Sequence, residues 1–287
     1  MKRSVLLATA LVALSAPSAF AQNKGRGIEV GVGLGRVNAQ VSEIDAAAEL
    51  DATGIIDTID YATDQLNTGN QTSVLNLTSG ALGELSGTAA SIGNSFSLDA
   101  AARVTSDLDQ MNLGHAVSEA NASVSAVGTA AVTAASIGNS ASVTATDAVV
   151  DADIAQANLG SMTATVNGSV GNVSEATLTA ASIGNSLSVE MPGGSNLTGN
   201  QFNSGTMVAE LNGSLGGFSE IAATAASIGN SASLTSLNTG IAGNIAANLN
   251  QWNAAGQLSV LNAAISHGGD AAATAAAIGN SVSINVN

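Results

Sequence analysis

The chain has 287 residues and a formal net charge of −15, with 45% hydrophobic residues but only 2% aromatic and 9% charged. A soluble globular chain is ordinarily about a quarter charged, and a conventional enzyme domain needs bulky side chains to fill a thick core, so this composition argues against one. It argues equally against ordinary disorder, which is apolar-poor and rich in Pro, Lys and Glu, and leaves a thin, repetitive fold packed with small residues.

Lys2 and Arg3 form a basic start, Val5–Leu14 a short apolar run, and Ala19-Phe20-Ala21 a small-residue cleavage site. That pattern reads residues 1–21 as a secretory signal peptide, with the mature chain beginning at Gln22. A run of ten residues falls far short of the ~20 that span a bilayer, and no later stretch is long enough, so no membrane span is expected. Cleavage leaves Lys24, Arg26, Arg36 and Arg103 against 21 carboxylates, a balance of −17. Such a polyanion repels nucleic acid and anionic lipid. The chain has no cysteine, so an exported fold cannot rest on disulfides.

Residues 22–60 lack the repeat described next. Ile28–Leu34 alternates like one strand, and the acidic stretch Glu43–Asp64 reads as a degenerate first rung or a cap, which solenoids need. From 61 to 287 three markers recur in phase. Thr-Ala-Ala-Ser-Ile-Gly-Asn-Ser starts at Thr88, Thr133, Thr179 and Thr224, and with one change at Thr274, giving spacings of 45, 46, 45 and 50. Gln-x-Asn keeps the same spacings at Gln65, Gln110, Gln156, Gln201 and Gln251, and a lone Asn follows at Asn76, Asn121, Asn167, Asn212 and Asn262. Fixed-period self-similarity is the mark of a repeat architecture.

Each unit also looks doubled. Gly69/Gly93, Gly114/Gly138, Gly160/Gly184 and Gly205/Gly229 are each 24 residues apart, which suggests a structural step of about 22–24 residues, with a single coil per unit as the alternative. Alternation around Thr133 puts Thr133, Ala135, Ile137, Asn139, Ala141 and Val143 on one face and Ala134, Ser136, Gly138, Ser140 and Ser142 on the other, a period of two that means strand. The Gly-Asn pairs are turn signals. The expected fold is therefore all-β: a β-solenoid, β-helix-like, of five repeats of about 45 residues, each two rungs of 22–24. Identical residues at matched positions would stack as ladders, with Asn94, Asn139, Asn185, Asn230 and Asn280 and the five Gln residues as structural ladder or turn residues that bond amide to amide.

No catalytic constellation stands out. His115 and His267, the only histidines, occupy positions filled by Ser161, Thr206 and Gly217 in other units, and no nucleophile–base–orienter set can be picked out. Asp107/Asp109 and Asp151/Asp153 recur one unit apart and read as a solvated acidic corner rather than a calcium site, since calcium wants 6–8 oxygens. Asn76, Asn121, Asn167 and Asn212 sit in Asn-x-Ser/Thr sequences, read as structural because they follow the repeat. Met111, Phe202 and Trp252, between Gln and Asn, read as a local core or ladder site. No enzyme activity, cofactor or metal is expected.

The leader, the Gly/Asn/Gln/Ser richness, the scarcity of Pro and Cys and the 22-residue step resemble curlin-type functional amyloid subunits. Ser195 to Gln201 matches the first spacing of the curlin pattern, although Asn203 stands where that pattern has Gly and the Gln residues occur only once per unit. The phrase Ala-Ser-Ile-Gly-Asn-Ser-Ala-Ser is also similar to the β-roll heads of trimeric adhesins. The curlin resemblance implies a secreted bacterial structural protein at the cell surface or outside it, self-assembling as a homopolymer into a biofilm fibre, with an outer-membrane secretion or nucleator protein as a further partner. The alternative is a monomeric β-solenoid adhesin or an ice- or carbohydrate-binding module that presents hydroxyl rows such as Ser136, Ser140 and Ser142.

Overall fold

A computed structural model describes residues 28–31, 36–52, 58–80, 83–100, 103–125, 127–146, 148–237 and 244–286. The proposed signal peptide lies outside them. Fifteen strands and no helix occupy this span, and every strand pairing is parallel.

One coil shows the plan. Strand β3 (Thr58–Asn67) leads through a three-residue turn into β4 (Gln71–Gly80), and the chain then returns along the longer β5 (Glu84–Ala100). The next coil repeats this with β6 (Arg103–Asn112), β7 (Ala116–Ser125) and β8 (Thr129–Ala145). In the following two, the second and third segments fuse: β9 (Val150–Asn158) with β10 (Met162–Pro192), then β11 (Asn196–Asn203) with β12 (Met207–Leu237). The coil of β13 (Ala246–Asn253), β14 (Gln257–Ser266) and β15 (Asp270–Val286) follows. Before them, β1 (Ile28–Gly31) and β2 (Arg36–Ala52) pair with β4 and β5, so this acidic stretch continues the same ladders.

The stacking step is the whole unit. Asn94 lies beside Asn139, Asn139 beside Asn185, and Asn230 beside Asn280, so partners are 45 to 50 residues apart and the rung of 22–24 residues is not formed. The echo within each unit has another origin. The first two strands and their turn make one layer, and the long third strand lies across from both. The turn glycine and the mid-strand glycine belong to opposite layers of the same small structure, where the layers approach most closely.

Gly93 shows the closeness required. A Cβ built on it would fall 2.5 Å from Asn112 Oδ1 and 2.5 Å from Gly138 O, so only glycine admits the turn amide there. The long strand also changes phase at this point. In β8, Ala130, Val132, Ala134 and Ser136 are buried before Gly138, and Asn139, Ala141, Val143 and Ala145 after it. A single alternation through the whole strand therefore does not hold. Ser136 is fully buried and donates to Thr163 O, so Ser136, Ser140 and Ser142 do not make a surface row.

Two apolar cores result, one on each side of this midline. Leu75, Leu77, Val124, Val132, Leu178 and Leu211 belong to the first, between the second strand and the front half of the third. Phe96, Leu98, Leu108, Val143, Ile154 and Val189 belong to the second, between the first strand and the back half of the third. Ile92, Ile137 and Ile183 form a separate buried column at the phase change. Thin layers favour Ala, Val, Leu and Ile, although Phe96 and Phe218 are also buried in these cores.

Because each coil contacts only its neighbours, stability is a nearest-neighbour sum. Deleting residues 134–179 joins Thr133 to Ala180, the stacking partner of Ala134, and removes one coil in register. The shortened chain is expected to keep the circular-dichroism spectrum and a cooperative thermal transition; loss of both would show that the coils are not interchangeable.

Candidate functional site

The sequence-derived ladder residues line the midline between the two cores. The Gln and Asn of Gln-x-Asn both face inward, since they are two apart on one strand. Gln110 donates to Gln65 (2.6 Å), Gln156 to Gln110 (2.8 Å), Gln201 to Gln156 (2.8 Å) and Gln251 to Gln201 (2.7 Å). Each Gln amide also crosses the midline to a backbone carbonyl of the long strand, as Gln65 does to Ser95 O at 2.9 Å and Gln156 to Ser186 O at 2.9 Å.

Asn94, Asn139, Asn185, Asn230 and Asn280 make the reciprocal column from the long strand. Asn94 donates to Asn139 (2.7 Å), Asn139 to Asn185 (2.8 Å), Asn185 to Asn230 (2.7 Å) and Asn230 to Asn280 (2.8 Å). Each also donates back across the midline, as Asn94 does to Met111 O at 2.9 Å and Asn185 to Phe202 O at 2.7 Å. The Gln column thus donates toward lower-numbered coils and the Asn column toward higher-numbered ones. Asn94 Oδ1 is buried without a hydrogen-bond partner, because its register neighbour is Ala46, which has no amide to offer.

A third column was not among the ladder residues picked from sequence. Asn67, Asn112, Asn158, Asn203 and Asn253 join in the same sense, Asn112 to Asn158 at 2.7 Å and Asn158 to Asn203 at 2.8 Å. They also close the turn, as Asn112 does by donating to Gly114 O at 3.0 Å. The signal was the invariant two-residue step after each Gln. The lone Asn column faces outward instead, bonded from Asn121 to Asn76 at 2.9 Å and from Asn167 to Asn121 at 2.8 Å, and it borders a shallow groove of about 910 Å³.

His267 takes a left-handed backbone with φ of 52° at a corner where Asn172 and Gly217 do the same. Gly, Asn and His tolerate that conformation better than most residues, so this histidine serves a corner. His115 is a turn residue whose Nδ1 accepts from the Ser161 amide at 3.0 Å. Among the described residues, no group of three or more His, Cys, Asp or Glu side chains gathers into a metal-binding set.

Met111 and Trp252 are exposed, and with Leu66, Ala157 and Phe202 they stand on the outer face of the first sheet at one register position. The core reading of this position is therefore overturned. A residue between an inward Gln and an inward Asn must point out, and that parity was the available signal. Beside it, on the outward positions that precede it, stand Asp64 and Asp109 and then Asp107 and Asp153. Burial pushes the Asp109 carboxyl above the usual carboxylate range, with further elevation from Asp107, Asp64 and Asp153.

A family model described as holdfast attachment protein D (HfaD) matches residues 35–257, well over half of the chain. The chain belongs to the holdfast attachment protein D family. No curated protein and no solved structure gives a significant match. The curlin resemblance has no counterpart in these comparisons.

Two outcomes follow from the columns. Replacing Asn185 by Ala, in mid-column, strands the amides of Asn139 and Asn230 and should cost about 1–3 kcal/mol in chemical denaturation. Asn280→Ala should cost less, since Asn280 is exposed and makes only a 3.3 Å bond across the midline to Gln251 O. The raised Asp109 value means that ionising it disfavours the folded state at neutral pH, and that this penalty fades as pH falls through the raised value. Asp109→Asn should therefore raise the melting temperature at pH 7, with the difference closing near pH 3.

Proposed function

We propose that this protein is a non-enzymatic structural component of cell-surface attachment, exported by residues 1–21, and that it acts by stacking end to end into a fibre. Family membership supports the surface-attachment part of this reading. The stacking part rests on one observation. The coil of β13, β14 and β15 is covered on one side only among the described residues, and the core columns run straight into it. Ile265 stacks on the buried Leu215, Val282 on the buried Ala232 and Ile284 on the buried Leu234, yet all three are exposed. Among the described residues no strand lies on the other side of this coil, and such a row of backbone groups is the usual template for adding another chain.

A second copy seated there would bury those columns and extend the Gln and Asn ladders. The acidic balance fits such a component, because it keeps exported chains apart and soluble until they meet in register. Purified chain incubated for days should form filaments visible by electron microscopy, bind amyloid dyes and give a reflection near ~4.8 Å along the filament axis. A protein that stays monomeric at high concentration would overturn polymerisation while leaving a monomeric adhesin role intact.

A further inference from the structure

The coil of β13, β14 and β15 is one half of an end-to-end joint. The other half is the opposite end of the stack, the side of β3, β4 and β5 that faces away from β6, β7 and β8. There β1 and β2 form a partial cap. β2 runs beside β5 for its full length, but β1 is 4 residues long and reaches only Leu75–Thr78 of the 10-residue β4. Among the described residues no strand lies beside β3 on that side.

The cap also matches its seat poorly. Every later coil sets an Asn beside the long-strand Asn column, whereas β2 sets Ala46 there, and Asn94 Oδ1 is left fully buried without a partner. β2 carries Glu43, Asp45, Glu49 and Asp51, and Asp51 stands in register with Asp99. Like charges one strand spacing apart repel. Arg36 and Glu84 are the one register pair of opposite charge.

The terminal strand β15 suits the same seat better. Followed through the ladders from β5 to β15, the register puts Asn280 at the position of Asn94, Val282 at Phe96, Ile284 at Leu98 and Asn285 at Asp99. β15 holds a single carboxylate, Asp270. β13 and β14 trace back in the same way to β3 and β4, so this coil would cover all three strands.

The sense of the ladders agrees. The long-strand Asn column donates toward higher-numbered coils, so it begins in the orphan acceptor Asn94 Oδ1 and ends in the Asn280 amide. The Gln column donates the other way, beginning in the Gln65 amide and ending in the acceptor Gln251 Oε1. A head-to-tail joint pairs donor with acceptor in both columns. Two like ends would set donor against donor or acceptor against acceptor in each.

We propose that the uncovered side of the β3–β5 coil is the docking site for the β13–β15 coil of a second copy, and that β1 and β2 hold it as a cap which the incoming coil displaces. This rests on the end-to-end reading above and adds its receiving surface and its starting step. A capped chain offers only one half of the joint, so growth begins where a cap yields.

The double variant Asp51→Cys/Asp99→Cys ties the cap down. Register neighbours lie about 4.8 Å apart, within the Cα span of a disulfide, and the chain has no other cysteine. Oxidised, this variant should give at least tenfold less filament by electron microscopy and dye binding than the same protein reduced, with one circular-dichroism spectrum for both. Ala46→Asn supplies the missing donor to Asn94 Oδ1 from within the cap and should lengthen the lag before assembly at least threefold. Hydrogen exchange on wild-type filaments should find β1 and β2 exchanging freely while β5 stays protected. The proposal fails, with end-to-end assembly intact, if the oxidised and reduced proteins assemble alike, if Ala46→Asn assembles at the wild-type rate, or if β2 stays protected in filaments. Filaments from neither the wild type nor the reduced variant would instead sink end-to-end assembly itself, and this proposal with it.

Discussion

Everything in this molecule depends on amide groups meeting their own kind across one inter-strand spacing. A thin, two-layered coil of small residues buries little apolar surface by itself. The midline, where the layers touch, must therefore supply order as well as contact. Gln156 illustrates the requirement. Its amide donates to Gln110 in the adjacent coil and to Ser186 O in the opposite layer, so one side chain ties coil to coil and layer to layer. A buried amide left without such partners would cost much of what its burial contributes. The column is stable only when nearly every coil supplies the same residue.

That demand explains why the period of the coil is so plain in sequence. Hydrophobic columns tolerate Leu, Val and Ala in exchange, as Leu75, Ala120, Val166 and Leu211 show along one column. Amide columns do not, because neither a shorter nor an apolar side chain completes the chain of donors. Strand character and parallel stacking were legible for the same reason. The rung length was misread because turn and mid-strand share glycine and asparagine, although they face each other within one coil. The phase change at Gly138 was hidden too: a strand that skips one residue still alternates on either side of it.

The surface was less legible than the interior. Met111 and Trp252 looked like core because they lie among ladder residues and are apolar, yet their parity sends them outward. The third amide column, through Asn112 and Asn158, was in view but credited only to the motif containing it. Its second task, holding a turn closed while joining coils, emerges only once Gly93 is seen to leave space for Asn112 Oδ1.

The direction of the ladders has a mechanical consequence. Backbone and amide bonds between coils all lie along the stacking axis, while the covalent chain runs around it. Tension passed through the end of the chain therefore peels away the terminal coil, held by a neighbour on one side, before the coils behind it. When that coil gives way it frees about 45 residues of chain, roughly 150 Å of extensible length at about 3.3 Å per residue. The coil had occupied about 4.8 Å of the stack. A chain built this way yields to a pull in discrete steps, dissipating work at each, and its remaining coils keep their grip on one another.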